Sequence, residues 1–141
     1  MINECTKSET EMELLKLGEK ESFEFNLPAV EFNELFYKIR FKDFFSENSK
    51  VLFLWKQGIP VAYIALGLAR GNEYANVSSI FVLKTHRRQG HAKELIQYVL
   101  NIDSIQKLTL QAYPHNEASL KLYKKLGFRI IRYEMEFRND M

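Results

Sequence analysis

The run from Pro60 to Ala69 (P-V-A-Y-I-A-L-G-L-A) lies in the longest stretch of the chain without a charged or strongly polar residue. It is about half of the ~20 residues that a membrane-spanning helix needs, so it has to be buried inside a folded core as a strand. A second apolar run, Val51 to Trp55, precedes it, and Lys56-Gln57-Gly58-Ile59-Pro60 between them supplies the Gly and Pro of a turn. The two runs therefore read as a hairpin over Val51–Trp55 and Val61–Leu68. Arg70-Gly71-Asn72-Glu73 is another turn-like cluster, and the segment after it, Tyr74 to Leu83, reads as a third strand. Three strands joined by tight turns predict an antiparallel meander.

Helical spacing dominates on either side of the meander. Phe32, Leu35, Phe36 and Ile39 fall at i, i+3, i+4 and i+7, which predicts a helix from Glu31 to Phe41 entered after Pro28, with most of its aromatics in the core. Beyond Leu83 the texture alternates. Ala92, Leu95, Ile96 and Val99 repeat at helical spacing, Leu108 to Ala112 reads as a short strand, and Asn116 to Leu126 as a helix closed by Gly127. Arg129 to Phe137 alternates polar and apolar residues as a last strand would. Residues 1–25 are ambiguous, with one short strand expected around Met12 to Leu17. The order predicts an α+β (mixed α/β) fold with a central sheet. The 141 residues, free of repeats and low-complexity tracts, suit one domain over 1–141.

Charge narrows the ligand class. Residues 1–70 carry a net −2 and residues 71–141 a net +4, and from Lys84 to Arg132 ten basic residues face three acidic ones. Such a bias favours an anionic ligand, either a phosphorylated cofactor or nucleic acid, although solvated helix faces would give the same count. The acidic N-terminus lacks the basic-then-apolar order of a signal peptide, and the single cysteine, Cys5, cannot close an internal disulfide. Both place the protein in the cytoplasm. His86, His91 and His115 lack Cys or acidic partners at ligand spacing, so no metal is expected, and no G-x-S-x-G marks a serine hydrolase.

The chemistry concentrates where the apolar Ile80-Phe81-Val82-Leu83 runs into Lys84-Thr85-His86-Arg87-Arg88-Gln89-Gly90-His91-Ala92. A strand enters a basic turn with Gly and Ala two residues apart, and a helix begins there. Small residues let backbone N–H groups approach an anion, and the first helical turn leaves donors unsatisfied under a partial positive charge. A pyrophosphate fits this arrangement. Neither a Walker loop nor a G-x-G-x-x-G dinucleotide fingerprint is present.

At these residues the chain resembles the GNAT superfamily of acyl-CoA-dependent N-acyltransferases. Arg87-Arg88-Gln89-Gly90-His91-Ala92 matches the family's Arg/Gln-x-x-Gly-x-Gly/Ala cofactor signature. Asn116-Glu117-Ala118-Ser119, followed by the helix bearing Tyr123 and by Gly127-Phe128, resembles a second family element, Asn-x-x-Ala to Gly-Phe, with Ser119 standing at the alanine position. The resemblance covers about residues 50–137. It implies a mostly antiparallel central sheet splayed at the cofactor site and flanked by about four helices. It also implies acetyl-CoA as co-substrate, with the pantetheine arm lying along Ile80, Phe81 and Val82. Arg87, Arg88, Gln89, Gly90, His91, Ala92 and Lys93 would surround the pyrophosphate. Asn116 would bond the pantetheine or cap its own helix.

The resemblance further implies direct acetyl transfer to a primary amine of a small molecule or peptide. Tyr123 would protonate the departing sulfur, since a phenol of pKa ~10 is a competent donor to a thiolate. The oxyanion would meet the backbone N–H near Val82. One branch of the family uses a glutamate five residues before the motif asparagine as base, and here that position is Gln111, which cannot accept a proton. Glu73, in the turn before the cofactor strand, is then the candidate base, unless the amine arrives neutral and needs none, and Ser78 and Ser79 either line the acceptor side or serve the core and the ladder. The acceptor itself would sit among the N-terminal helices, where Phe32, Phe36, Tyr37, Phe41, Phe44 and Phe45 form an aromatic wall or pack the core. Competing readings are a non-catalytic acyl-CoA-binding module and, more weakly, a nucleic-acid module stacking bases on Tyr113, Tyr123 and Phe128. No membrane partner is expected, and a homodimer is compatible with the sequence without being marked in it.

Overall fold

The computed structural model describes residues 1–26 and 32–139. Two compact units make up the chain, Met1–Gln111 and Ala112–Met141. The first holds β1 (Ile2–Glu4), α1 (Glu9–Asn26), α2 (Glu34–Phe44), β2 (Ser49–Lys56), β3 (Ile59–Ala69), β4 (Tyr74–Val82), a 3₁₀ turn at Lys84–His86, α3 (His91–Leu100) and β5 (Lys107–Leu110). The second holds α4 (Glu117–Lys125). The strands form one open sheet in the order β1-β2-β3-β4-β5, antiparallel except between β4 and β5. The mixed α+β fold, with a mostly antiparallel open sheet and four helices among the described residues, is what the sequence and its family resemblance predicted.

The meander forms for the reasons given. Gln57 and Gly58 both take positive φ, 51° and 79°, as the two-residue loop of a hairpin requires, and Lys56 pairs with Ile59 across it. Alternation along β2 and β3 then sends side chains to two faces. On one face Val51, Phe53, Tyr63, Ala65 and Phe81 pack with Leu14 and Leu15 of α1 and Phe44 of α2. On the other, Leu52, Leu54, Ala62, Ile64 and Leu66 are buried on the side of α3, whose Leu95, Ile96 and Val99 are fully buried.

Four expectations need correction or qualification. Met12 to Leu17 lies inside the 18-residue helix α1 and is no strand. A capping box starts that helix: the Glu11 carboxylate accepts from Ser8 N (3.0 Å), and the Glu11 N–H reaches Ser8 Oγ. The strand actually present near the N-terminus is β1, with Ile2 opposite Leu54. Pro28 and Glu31, the expected entry of the second helix, lie outside the described residues. α2 begins at Glu34 behind Asn33, whose side chain accepts from Phe36 N at 3.0 Å. The stripe expected to face the core is turned outward, with Leu35 66% and Ile39 53% exposed, while Phe44 is buried and Tyr37 and Phe41 are half-buried. A helix apolar on more than one face leaves its burial to tertiary packing, which periodicity cannot choose. Finally, Arg129 to Phe137 joins no ladder among the described residues, and Tyr133, Met135 and Phe137 are exposed. Alternation qualifies a segment for a sheet but does not supply the partner edge.

The capping box also makes stability pH-dependent. Burial alone would raise the Glu11 carboxyl, but the backbone and side-chain hydrogen bonds from Ser8 and Thr6 outweigh it and hold the group below its ordinary value. The folded pKa therefore lies under the unfolded one, near ~4.3. The stabilisation is fully present above that value and is lost as pH falls through the folded pKa. In urea unfolding, the advantage of the wild type over Glu11→Ala is expected to be largest at neutral pH and to shrink in strong acid. A gap that does not change with pH would assign it to packing instead.

Candidate active site

The pairing of β4 with β5 runs only from Tyr74 opposite Lys107 to Val77 opposite Leu110. Strand β4 continues through Ser78, Ser79, Ile80, Phe81 and Val82 with no ladder partner on that side, so the sheet opens there. A β-bulge sits at the start of the opening. Ala65 pairs with Ser79 and Leu66 with Val77, leaving Ser78 as the extra residue. Two arginines cover carbonyls of the opened stretch: Arg40 Nη2 donates to Ser78 O (3.3 Å) and Arg87 Nε to Val82 O (2.9 Å). Each is held by a glutamate of α1, Arg40 by Glu19 (3.1 Å) and Arg87 by Glu21 (3.1 Å). Successive peptide groups alternate sides, so the polar groups of Ile80 lie on the same open edge between the two.

Past Val82 the chain makes the 3₁₀ turn and then two left-handed residues, Arg88 (φ 62°) and Gly90 (φ 81°), before α3 begins. Gly90 is the N-cap and offers no side chain, so the first N–H groups of α3 have no side-chain cap. A Cβ placed at Gly90 would meet nothing within 4 Å, so the turn has open space beside it. His91 is buried, its Nδ1 3.4 Å from Glu94 Oε1 and its Nε2 without a partner. Unsatisfied amides, a basic turn and free space suit a phosphate group. Arg87, however, is committed to Val82 and Glu21.

Glu73 is placed elsewhere. It is exposed at the start of β4, where its carbonyl accepts from Gln106 N (2.7 Å), nine residues and roughly 30 Å of strand from Val82. The carboxylate that does reach the opening is Glu19, which the sequence reading overlooked. Glu19 Oε1 accepts from Arg40 Nε (3.2 Å), and Oε2 accepts from Tyr63 Oη (2.5 Å) and Ser79 Oγ (2.6 Å). Burial, with the neighbouring Glu19 charge, pushes the Tyr63 phenol well up. The available signal was Gly18 inside a helix, since glycine there marks close packing.

In the second unit Asn116 is the N-cap of α4, but its side chain makes no cap hydrogen bond. Tyr123 is buried, and burial raises its phenol, partly offset by a hydrogen bond with Ser119. A Schellman motif fixes the helix end. Phe128 N donates to Tyr123 O (3.0 Å) and Gly127 N to Lys124 O (3.1 Å), with Gly127 at φ 99° and the Tyr123 and Phe128 rings 5.9 Å apart.

The model of the acetyltransferase (GNAT) family matches residues 14–128, more than half of the chain. The chain belongs to the GNAT acetyltransferase family. No curated protein sequence matches it significantly. Among solved structures, it is similar to the aminoglycoside acetyltransferase AAC(6')-Iy bound to a bisubstrate analogue of CoA and acetylneamine, with TM-score 0.74 and 17% identity over 99% of this chain and 97% of that one. The apo aminoglycoside 6'-N-acetyltransferase AAC(6')-IG of Acinetobacter haemolyticus gives 0.68 and 17% over 100% and 99%. A protein described as a transcriptional regulator from Bacillus halodurans C-125 gives 0.71 and 15% over 98% of both. These likenesses establish a GNAT fold and leave the acceptor of this GNAT chain to its own residues. No helix among the described residues is long and apolar enough to cross a membrane, and none of their His, Cys, Asp and Glu side chains group to hold a metal.

Proposed function

We propose that the chain is an acetyl-CoA-dependent N-acetyltransferase, one domain over residues 1–141, acting in the cytoplasm on a primary amine of a small molecule or peptide. The observation that carries this reading is the opening of β4 beyond Val77, directly before the uncapped, Gly90-led start of α3. The pantetheine arm would lie along Ile80, Phe81 and Val82, where the peptide groups of Ile80 on the open edge would otherwise be a cost. Arg88, Gln89, Gly90, His91, Ala92 and Lys93 would hold the pyrophosphate. Asn116, with its side chain free of a capping duty, would bond the pantetheine. The amine attacks the thioester carbonyl, the N–H near Val82 stabilises the oxyanion, and Tyr123 protonates the leaving thiolate. The aminoglycoside acetyltransferases of the same fold support an amine as the acceptor.

Melting with acetyl-CoA tests the reading. At ~100-fold its Kd, a ligand stabilises the folded state by ~2.7 kcal/mol, so a clear upward shift in Tm is expected. A Cβ at position 90 meets no atom within 4 Å, so the cost of Gly90→Val is chiefly that of the positive φ, about 1–2 kcal/mol. That variant should fold and lose most of the shift. Equal shifts in both proteins would remove the Gly90 turn from the site. Release of CoA with amines then separates an enzyme from a module that only binds the cofactor.

A further inference from the structure

Glu19 is 6% exposed, and donors from three other elements converge on it: Arg40 from α2, Tyr63 from β3 and Ser79 from β4. This cluster adjoins the bulge where β4 parts from β5. A serine hydroxyl has one proton, and that of Ser79 is committed to Glu19, so Ser79 Oγ presents only lone pairs to anything else that approaches. Ser79 is half-buried and precedes Ile80 at the opening. A hydrogen-bond donor reaching it meets an oriented acceptor with a carboxylate behind. Arg40, its guanidinium 4.9 Å from the Phe44 ring, compensates the charge that burial would penalise.

Resting on the acetyl-transfer reading above, we propose that Ser79 receives the acceptor amine and, with Glu19 as the terminal proton acceptor, deprotonates it. An acceptor arriving as ammonium gives one N–H proton to Ser79 Oγ while Ser79 passes its own to Glu19 Oε2. Tyr63 Oη, which lies 3.4 Å from Leu15 O, has a second acceptor to turn to as Oε2 takes up the proton. The freed lone pair attacks the thioester carbonyl, the C–N bond forms, and the C–S bond breaks with its electron pair on sulfur. The second nitrogen proton passes to solvent, the thiolate takes one from the general acid, and that acid recovers its proton from solvent. Protonated Glu19 returns its proton to solvent through Ser79 after product leaves. Ser79 is thus a catalytic residue, and Arg40 and Tyr63 are positioning residues. The other titratable group that feels the Glu19 charge is Tyr37 of α2.

The test compares Ser79→Ala and Glu19→Gln with the wild type on a panel of primary alkylamines, neamine among them, and on an aryl amine that is neutral at pH 7. For the best alkylamine at pH 7 each variant should lose about 100-fold in kcat with little change in the acetyl-CoA melting shift. The deficit should shrink to a few-fold with the aryl amine, or with the alkylamine near pH 10, where the acceptor no longer needs a base. Ser79→Ala leaves Glu19 its other donors and so keeps the test valid if Glu19→Gln folds poorly. A deficit equal for neutral and charged acceptors would make the cluster structural and overturn the proposal, as would a wild-type rate in Ser79→Ala. A wild type that neither binds acetyl-CoA nor releases CoA with any amine would instead overturn the acetyl-transfer reading, and this proposal with it.

Discussion

Replacing Gly18 by alanine is expected to destabilise the protein by about 2–4 kcal/mol, although alanine is the better helix former by ~1 kcal/mol. A Cβ at this position of α1 would lie 2.6 Å from Tyr63 Cε2 and 2.8 Å from Phe81 Cδ2, and would meet the Tyr63 hydroxyl closer still. Tyr63 is fully buried and hydrogen-bonded to Glu19, so its ring cannot retreat without breaking a buried contact. Overpacking typically costs about 1–3 kcal/mol and a broken buried hydrogen bond about as much again. The result should be a Tm lower by roughly 10 °C in a thermal scan. Acetyl transfer should fall as well, because the same ring helps to orient Glu19. A variant as stable as wild type, or more so, would mean that helix propensity outweighs packing and that α1 sits further from the sheet.

Much of the fold was legible because the signals were local. The Gln57-Gly58 turn, the apolar runs beside it and the stop at Gly127 each state their geometry within a few residues. The basic strand-to-helix turn was legible for the same reason, since Gly90 and Ala92 stand in a contiguous pattern. What failed depended on distant partners. The alternation of Arg129 to Phe137 says nothing of which edge could receive it, and the stripe of α2 does not say which of its apolar faces meets the sheet. Ser8 and Glu11 did spell a helix start, which a strand reading of Met12 to Leu17 passes over. The carboxylate at the opening was the least readable, because Glu19, Arg40, Tyr63 and Ser79 are spread over 61 residues and nothing in sequence brings them together. The sequence therefore pointed to Glu73 by its nearness along the chain to β4, whereas Glu19 is brought to the opening by α1 packing across the sheet.

Tyr123→Phe is expected to lower kcat by about 100-fold while the acetyl-CoA melting shift stays nearly intact. The substitution keeps the ring in its place beside Phe128, where the Schellman motif of α4 holds it, and removes the hydroxyl and its hydrogen bond with Ser119 at a cost of about 1 kcal/mol. A fall in rate that large cannot then come from unfolding. Burial raises the phenol above its ordinary value of ~10, so Tyr123 stays protonated throughout the neutral range and remains able to donate. The sign of the pH dependence follows. Loss of the acid would set in only as pH approaches and passes that raised value, on the alkaline side of the kcat profile, and this descending limb should be absent from the phenylalanine variant. Its residual rate should also depend more steeply on the leaving thiol, because a thiolate departing without a proton donor relies on its own stability. An acyl-CoA analogue with a more acidic thiol would therefore recover part of the lost turnover. A wild-type kcat in Tyr123→Phe would remove this residue from the reaction and leave solvent as the proton source for sulfur.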